Sequence, residues 1–255
     1  MVRSPHICIV GGGFGGLYTA LYLQKYRHLK SSRITLIEPN DQFVFFPMMY
    51  ELITDELKPW ELFPTYSSLL AGTNVRWQQA RAESVNVAER TVTVSSGETL
   101  SYDYLVLATG AESRPINIPG LNEHALSFRS YQDALTLNAR LAQRVQAQAI
   151  QSRSEQIDQI CITVVGGGAS GVELACKLAD YLGDRGKITL VERSDSLLTP
   201  FPTGIQKQAR RALAERQVNV LMKTGVSAIS ADTVTLQETE ENSVVSSHLT
   251  LWAAG

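Results

Sequence analysis

Short apolar runs that stop abruptly at glycine set the rhythm of this chain. Ile7-Cys8-Ile9-Val10 is apolar at every position, the pattern of a strand covered on both faces, and it runs into Gly11-Gly12-Gly13-Phe14-Gly15-Gly16. A helical stretch from Leu17 to about Tyr26 follows, and a second apolar strand, Ile34 to Ile37, ends in Glu38. The same order returns in the second half. Strand Ile162 to Val165 precedes Gly166, Gly168 and Gly171, a helix is expected from Val172 to about Leu182, and strand Ile188 to Val191 ends in Glu192. Alternating segments of β type follow in each half, Val75 to Val94 and Val218 to Leu236. Each half then closes on an apolar strand and small residues, Ser101 to Leu107 before Ala108-Thr109-Gly110 and Ser247 to Trp252 before Ala253-Ala254-Gly255. Small residues there let the chain pass beside a bound ligand or cross between domains; a simple turn is the plainer alternative.

Both glycine clusters read G-x-G-x-x-G between strand and helix. The first glycine permits the tight turn, the second lets backbone approach a pyrophosphate, and the third lets helix and strand pack closely. The helix N-terminus then presents free N–H groups and a positive dipole end. Glu38 and Glu192 each fall roughly 20 residues past their last glycine, the spacing of an acid that binds an adenosine ribose. One such cluster could serve packing alone, but two in the full strand, turn, helix, strand and acid context point to two dinucleotides. The expected fold is α/β, with two Rossmann-like domains and the second inserted in the first: 1–118, then 119–250, with 251–255 starting a return to the first domain.

Composition narrows the class. The 255 residues, 44% hydrophobic and 19% charged, are those of a core-forming globular chain of about two domains. A net charge of −2 gives no basic field for nucleic acid, which is excluded as a partner. Cys8, Cys161 and Cys176 form no CxxC pair and read as small buried hydrophobes in a reducing, cytoplasmic setting. No apolar stretch reaches the ~20 residues that span a bilayer, and no signal-peptide pattern opens the chain.

Together these residues resemble the two-dinucleotide flavoprotein oxidoreductases, in which the first motif holds FAD and the second NAD(P)H. Phe43-Val44-Phe45-Phe46-Pro47-Met48-Met49-Tyr50-Glu51-Leu52 and Gly171-Val172-Glu173-Leu174-Ala175 are similar to the type II NAD(P)H:quinone oxidoreductases, the former most like the cyanobacterial and plastid demethylnaphthoquinone-reductase branch. The related disulfide reductases carry a C-x4-C in the stretch matching Phe43 to Tyr50. This chain has no cysteine between Cys8 and Cys161, so dithiol chemistry is not expected.

The resemblance implies that Gly11, Gly13, Phe14, Gly15, Gly16 and Glu38 hold the adenosine diphosphate part of FAD, that Thr109 and Gly110 line the flavin, and that Phe46, Pro47 and Met48 lie near its ring. An apolar loop tucked into the core is the alternative for Phe46 to Met48. Gly166, Gly168, Gly171, Glu192 and Arg193 would hold the nicotinamide cofactor, with Ala254 and Gly255 closing that half. Glu173 is the candidate catalytic carboxylate; a helix-stabilising acid in a first turn is its alternative. Glu192 should accept the ribose hydroxyls of NADH, while Arg193 beside it offers a partner to the extra phosphate of NADPH, which leans the choice to NADH with NADPH tolerated. The implied reaction passes hydride from NAD(P)H to flavin and two electrons onward to a quinone. Family members run roughly a hundred or more residues further, so the chain is expected to lack a returning flavin segment, a quinone motif and the region that docks on a membrane surface; a catalytically silent nucleotide-binding module is the competing reading.

Other chemistries lack their residues. His6, His28, His124 and His248 are scattered without metal-ligand spacing and read as surface or turn positions. Neither G-x-S-x-G nor G-x4-G-K-[ST] occurs. The amphipathic stretch Ala134 to Ile150, with Arg140 and Arg144 four apart, should pack one helix face on the second domain.

Overall fold

The computed structural model describes residues 4–29, 31–111, 116–151, 158–237 and 242–254. Contacts divide the chain into two units, residues 1–45 with 59–112, and residues 46–58 with 113–255.

In the first unit, four strands form a parallel sheet in the order β3-β2-β1-β7: β1 (His6–Val10), β2 (Arg33–Ile37), β3 (Val75–Gln78) and β7 (Tyr104–Leu107). Because successive side chains point to opposite faces, β1 feeds two cores at once. Ile7 and Ile9 join Leu17, Ala20, Ile34, Leu36, Phe43, Tyr66 and Leu70 around α1 (Phe14–Leu23). Cys8 and Val10 join Ile37, Val92, Val94 and Leu100 beneath a small antiparallel sheet of β4 (Ala82–Asn86), β5 (Thr91–Val94) and β6 (Thr99–Ser101). This double burial is why the strand is apolar at every position. Two one-turn helices, α2 (Pro59–Leu62) and α3 (Tyr66–Leu69), complete the unit, the latter capped by the Thr65 hydroxyl, which accepts from the Ser68 amide.

The second unit repeats the plan with a fifth strand, β11-β10-β9-β15-β8, all parallel: β8 (Ala125–Leu126), β9 (Ile160–Val165), β10 (Gly186–Val191), β11 (Asn219–Leu221) and β15 (Leu249–Trp252). An antiparallel sheet of β12 (Gly225–Ile229), β13 (Thr233–Gln237) and β14 (Asn242–Ser246) again buries its inner face, here Ile229, Val234 and Leu236 against Val191. The helices are α4 (Leu121–His124), α5 (Tyr131–Gln151), α6 (Ala169–Leu182) and α7 (Thr203–Glu215). As its periodicity predicts, α5 buries Ala134, Leu137 and Leu141 within this unit.

Several expectations shift. Both motif helices start three residues early, at Phe14 and Ala169, because the middle glycine of each motif caps the helix and the third lies inside it; α1 also ends at Leu23. The domain borders move too. Residues 46–58 group with the second unit because their partners lie there. Tyr50 packs on Phe128 at 5.3 Å, Asn138 donates to the Leu52 carbonyl at 3.1 Å, and Lys177 pairs with Glu51 and with Glu56. Described residues 59–111 belong to the first unit and those from 116 to the second, and residues 251–252, expected to start a return, end β15 inside the second sheet. His6 is buried on β1, where its ring bonds to the Thr35 hydroxyl at 2.9 Å and to Arg33 at 2.6 Å, so it is no surface residue. Of the cysteines only Cys8 is buried, and burial, partly opposed by Arg33, pushes its thiol up to about 11; Cys161 and Cys176 are partly exposed. No metal-binding group of His, Cys, Asp and Glu, and no helix long and apolar enough to cross a membrane, occurs among the described residues.

Candidate functional site: two glycine loops and their acids

Each loop leaves the carboxyl end of the central strand of its sheet, where strand order reverses and open α/β sheets place their ligands. In both loops the first glycine has positive φ, +97° at Gly11 and +114° at Gly166, a region that costs a side chain but not glycine. Space forbids a side chain as well. A Cβ on Gly11 would sit 2.2 Å from the Ala108 carbonyl oxygen, and one on Gly166 would sit 2.7 Å from the Ala254 nitrogen. Thus the A-T-G and A-A-G segments do the same work: they pass over the first glycine, joined to the central strand by Ala108 N–H to Val10 O (2.8 Å) and Ala253 N–H to Val165 O (2.9 Å). Thr109 and Gly110 are exposed there, and Ala254 is partly exposed; Gly255 lies outside the described residues.

The third glycines, Gly16 and Gly171, are buried against their own loop. A Cβ on either would lie 1.8 Å from the carbonyl oxygen of Gly11 or Gly166. The second glycines differ in kind. Gly13 and Gly168 are the N-caps of α1 and α6, their carbonyls take the first helical bonds from Leu17 and Val172, and a Cβ on either would touch nothing within 4 Å. No side chain caps either helix and neither first turn holds an acid. The free N–H groups and positive helix end therefore face open space, which is the donor set a phosphate requires. Gly15 lies in the first turn of α1, and Phe14 opens the helix with its ring edge-on to Phe43 at 5.1 Å.

Each acid reaches its loop. Glu38 Oε2 accepts from the Gly12 amide at 2.8 Å, and Oε1 accepts from the Asn40 amide at 2.9 Å and its side-chain nitrogen at 2.6 Å. Glu192 repeats this with the amides of Gly167 and Ser194, both at 2.6 Å. Burial pushes Glu192 up, but those amide bonds, with Arg193 alongside, outweigh it and hold the carboxyl below its usual range. Arg193 itself is exposed.

Sequence reasoning missed Gly12 and Gly167, the letters between the motif glycines. Each must lack a side chain because the acid folds beneath it: a Cβ on Gly12 would sit 2.7 Å from Glu38 Cγ and 2.5 Å from the Tyr66 hydroxyl, and one on Gly167 would sit 2.9 Å from Glu192 Cγ and 2.5 Å from Leu197. The unbroken Gly-Gly-Gly at 11–13 and at 166–168 was the available signal.

The remaining candidates lie elsewhere. Phe46, Pro47 and Met48 are exposed at the start of a 3-10 helix, Phe46–Leu52, in the second unit, and are not tucked into the core. Glu173 falls in the second turn of α6, so dipole stabilisation in a first turn does not account for it. Glu173 is exposed, and partial shielding of its carboxyl, with Glu51 nearby, raises it above the usual range. Tyr50, hydrogen-bonded to Ser170, is raised by burial and by Glu173. Lys177, one turn beyond Glu173, holds Glu51 and lies 2.8 Å from Glu56.

Two Rossmann-like units, each with a glycine loop, an open helix N-terminus and an acid clasped to the loop, define a protein of the two-dinucleotide class. The pyridine nucleotide-disulphide oxidoreductase family model matches residues 5–255, and the chain belongs to that family. It is 39% identical over 257 residues to a demethylphylloquinone reductase of Synechocystis, covering 98% of this chain and 62% of that protein. It is 33% identical over 280 residues to an alternative NAD(P)H-ubiquinone oxidoreductase of Arabidopsis thaliana, covering 99% and 53%. The chain thus spans between half and two thirds of the length of these relatives. Its fold superposes on NDH2 from Plasmodium falciparum in complex with NADH with a TM-score of 0.84 at 23% identity, covering 99% of this chain and 55% of that one. The sulfide:quinone oxidoreductase of Aquifex aeolicus gives 0.82 at 25%, covering 98% and 58%.

Proposed function

We propose that this chain is the dinucleotide-binding part of an FAD-dependent NAD(P)H:quinone oxidoreductase. The observation that carries the reading is the pair of matching loops, each with a bare N-cap glycine facing open space and an acid fixed to the loop amide, within a family of pyridine-nucleotide oxidoreductases. On the first loop, Gly11, Gly13, Gly16 and the helix end of Phe14 and Gly15 would receive the FAD pyrophosphate, Glu38 the adenosine ribose, and Thr109 and Gly110 the approach to the flavin. On the second, Gly166, Gly168 and Gly171 would receive the pyrophosphate of NAD(P)H. Glu192 stays ionised at neutral pH and keeps lone pairs for ribose hydroxyls beyond the two amide bonds. It thereby favours NADH, while exposed Arg193 tolerates NADPH.

Bound FAD supplies the chemistry that takes hydride from the nicotinamide and passes two electrons to an acceptor. The protein's own part is to orient both pyrophosphates and to hold protons where they are wanted. Glu173, with its raised carboxyl beside Tyr50 and Ser170, is suited to carry a proton to a reduced acceptor. The similarity to quinone reductases supports a quinone as that acceptor. Quinones are apolar and partition into membranes, which supports reading this as a cytoplasmic protein that works peripherally at a membrane surface. The test is optical. Purified protein reconstituted with FAD should be yellow and should bleach on anaerobic addition of NADH, more slowly with NADPH, and recover its colour with a soluble quinone. Protein that stays colourless, or yellow protein that does not bleach, refutes the reading in favour of a silent nucleotide-binding module.

A further inference from the structure

The two loops are braced differently at one atom. The peptide that joins Gly12 to Gly13 has its carbonyl oxygen held by the Tyr66 hydroxyl, which donates at 2.8 Å. At the equivalent place in the second loop, the Gly167 carbonyl accepts from the backbone amide of Leu198 at 2.9 Å. In a trans peptide the C=O and the N–H point in opposite directions, and the chain contains no cis bond among its described residues. Fixing the Gly12 oxygen toward Tyr66 therefore aims the Gly13 N–H away from it. Gly13 and the two residues after it are exposed, and a Cβ on Gly13 would meet nothing within 4 Å. The neighbouring peptide is fixed as well, because the Gly12 N–H is on Glu38.

We propose that Tyr66 is a positioning residue for the first dinucleotide site, setting the peptide plane that turns the Gly13 amide toward the incoming pyrophosphate. The assignment rests on the reading of that loop as the FAD site. Tyr66 is built for the task. It is 2% exposed, starts α3, and its ring packs on Trp77 at 5.5 Å. Trp77 in turn donates its indole N–H to the Glu38 carbonyl at 3.0 Å, so tyrosine, tryptophan and acid form one ring of contacts under the loop. Burial, with Glu38 nearby, raises the Tyr66 phenol well above its ordinary value, so it remains a proton donor at every working pH. The second loop needs no such side chain, since a backbone amide does the work.

Tyr66→Phe removes the hydroxyl and keeps the ring on Trp77. Binding of FAD to the deflavinated protein, followed by flavin fluorescence, should weaken about three- to tenfold, the worth of one hydrogen bond. The 31P resonances of the bound FAD pyrophosphate should shift at saturation, while the dissociation constant for NADH stays unchanged. An FAD constant within twofold of wild type together with unmoved 31P resonances overturns the assignment. Equal loss of NADH and FAD affinity also overturns it, because the damage is then general. Wild-type protein that takes up no FAD overturns the flavin reading of the first loop, and this proposal with it; wild-type uptake with an unchanged Tyr66→Phe constant and unmoved 31P resonances overturns the proposal alone.

Discussion

Substituting the second and third glycines of one motif separates ligand binding from folding. In Gly13→Ala the backbone stands at φ −61° and ψ −168°, which alanine adopts freely, and the new methyl meets no protein atom within 4 Å. The cost to the fold is that of a poorer N-cap, about 1 kcal/mol or less. The same methyl stands where the pyrophosphate must approach. Losing one charge-assisted hydrogen bond there costs about 1.5–3 kcal/mol, or roughly ten- to a hundredfold in FAD affinity. Gly16→Ala reverses the balance. Its methyl would lie 1.8 Å from the Gly11 carbonyl oxygen, a backbone atom that cannot swing away, so helix and loop must part. Overpacking of this kind costs about 1–3 kcal/mol or more, and FAD is lost because the loop itself is displaced. Thermal unfolding of the FAD-free proteins, paired with fluorescence titration of FAD, reads both quantities. If Gly13→Ala binds FAD as wild type does, or is as unstable as Gly16→Ala without ligand, the division of labour among the glycines is refuted.

Two further outcomes follow from named groups. Glu192 has its carboxyl held below the ordinary value, so its contribution to stability is present above that value, near 4.5, and is lost as pH falls through the lower folded one; urea midpoints of wild type and Glu192→Gln should therefore differ at pH 7 and draw together as the pH falls below 4.5, and a gap that does not narrow in acid would contradict this. Lys177→Met should destabilise the protein by about 1 kcal/mol, between the worth of an exposed and a buried pair, because it leaves half-buried Glu51 and more exposed Glu56 without their cation; an unchanged urea midpoint would show the pairs to be inert.

The repeat made the fold legible, since both central strands are apolar on two faces and both end in a glycine cluster, signals carried entirely by local sequence. The acids were legible by spacing. Their actual bonds were not, because the closing of Glu38 on the Gly12 amide depends on where the second strand ends in space. Tyr66 was invisible for the same reason: 54 residues separate it from the carbonyl it holds. The placing of residues 46–58 escaped for a different one. The placing of this segment in the first domain came from the assumed border alone, whereas contacts to Phe128, Asn138 and Lys177, far off in sequence, decide which unit it joins. The early helix starts show a limit of motif reading, since glycine at a cap looks the same on paper as glycine in a turn.

The unequal bracing of the two loops bears on how such a protein drifts under mutation. The second loop's carbonyl is held by the Leu198 amide, a group present whatever nearly any codon specifies at that position, so the support is inherited with the backbone. The first loop's carbonyl is held by a hydroxyl that a single nucleotide change at the Tyr66 codon can delete. Of the two loops, the first is thus the more easily retuned or surrendered, while the second is buffered against the genetic code itself.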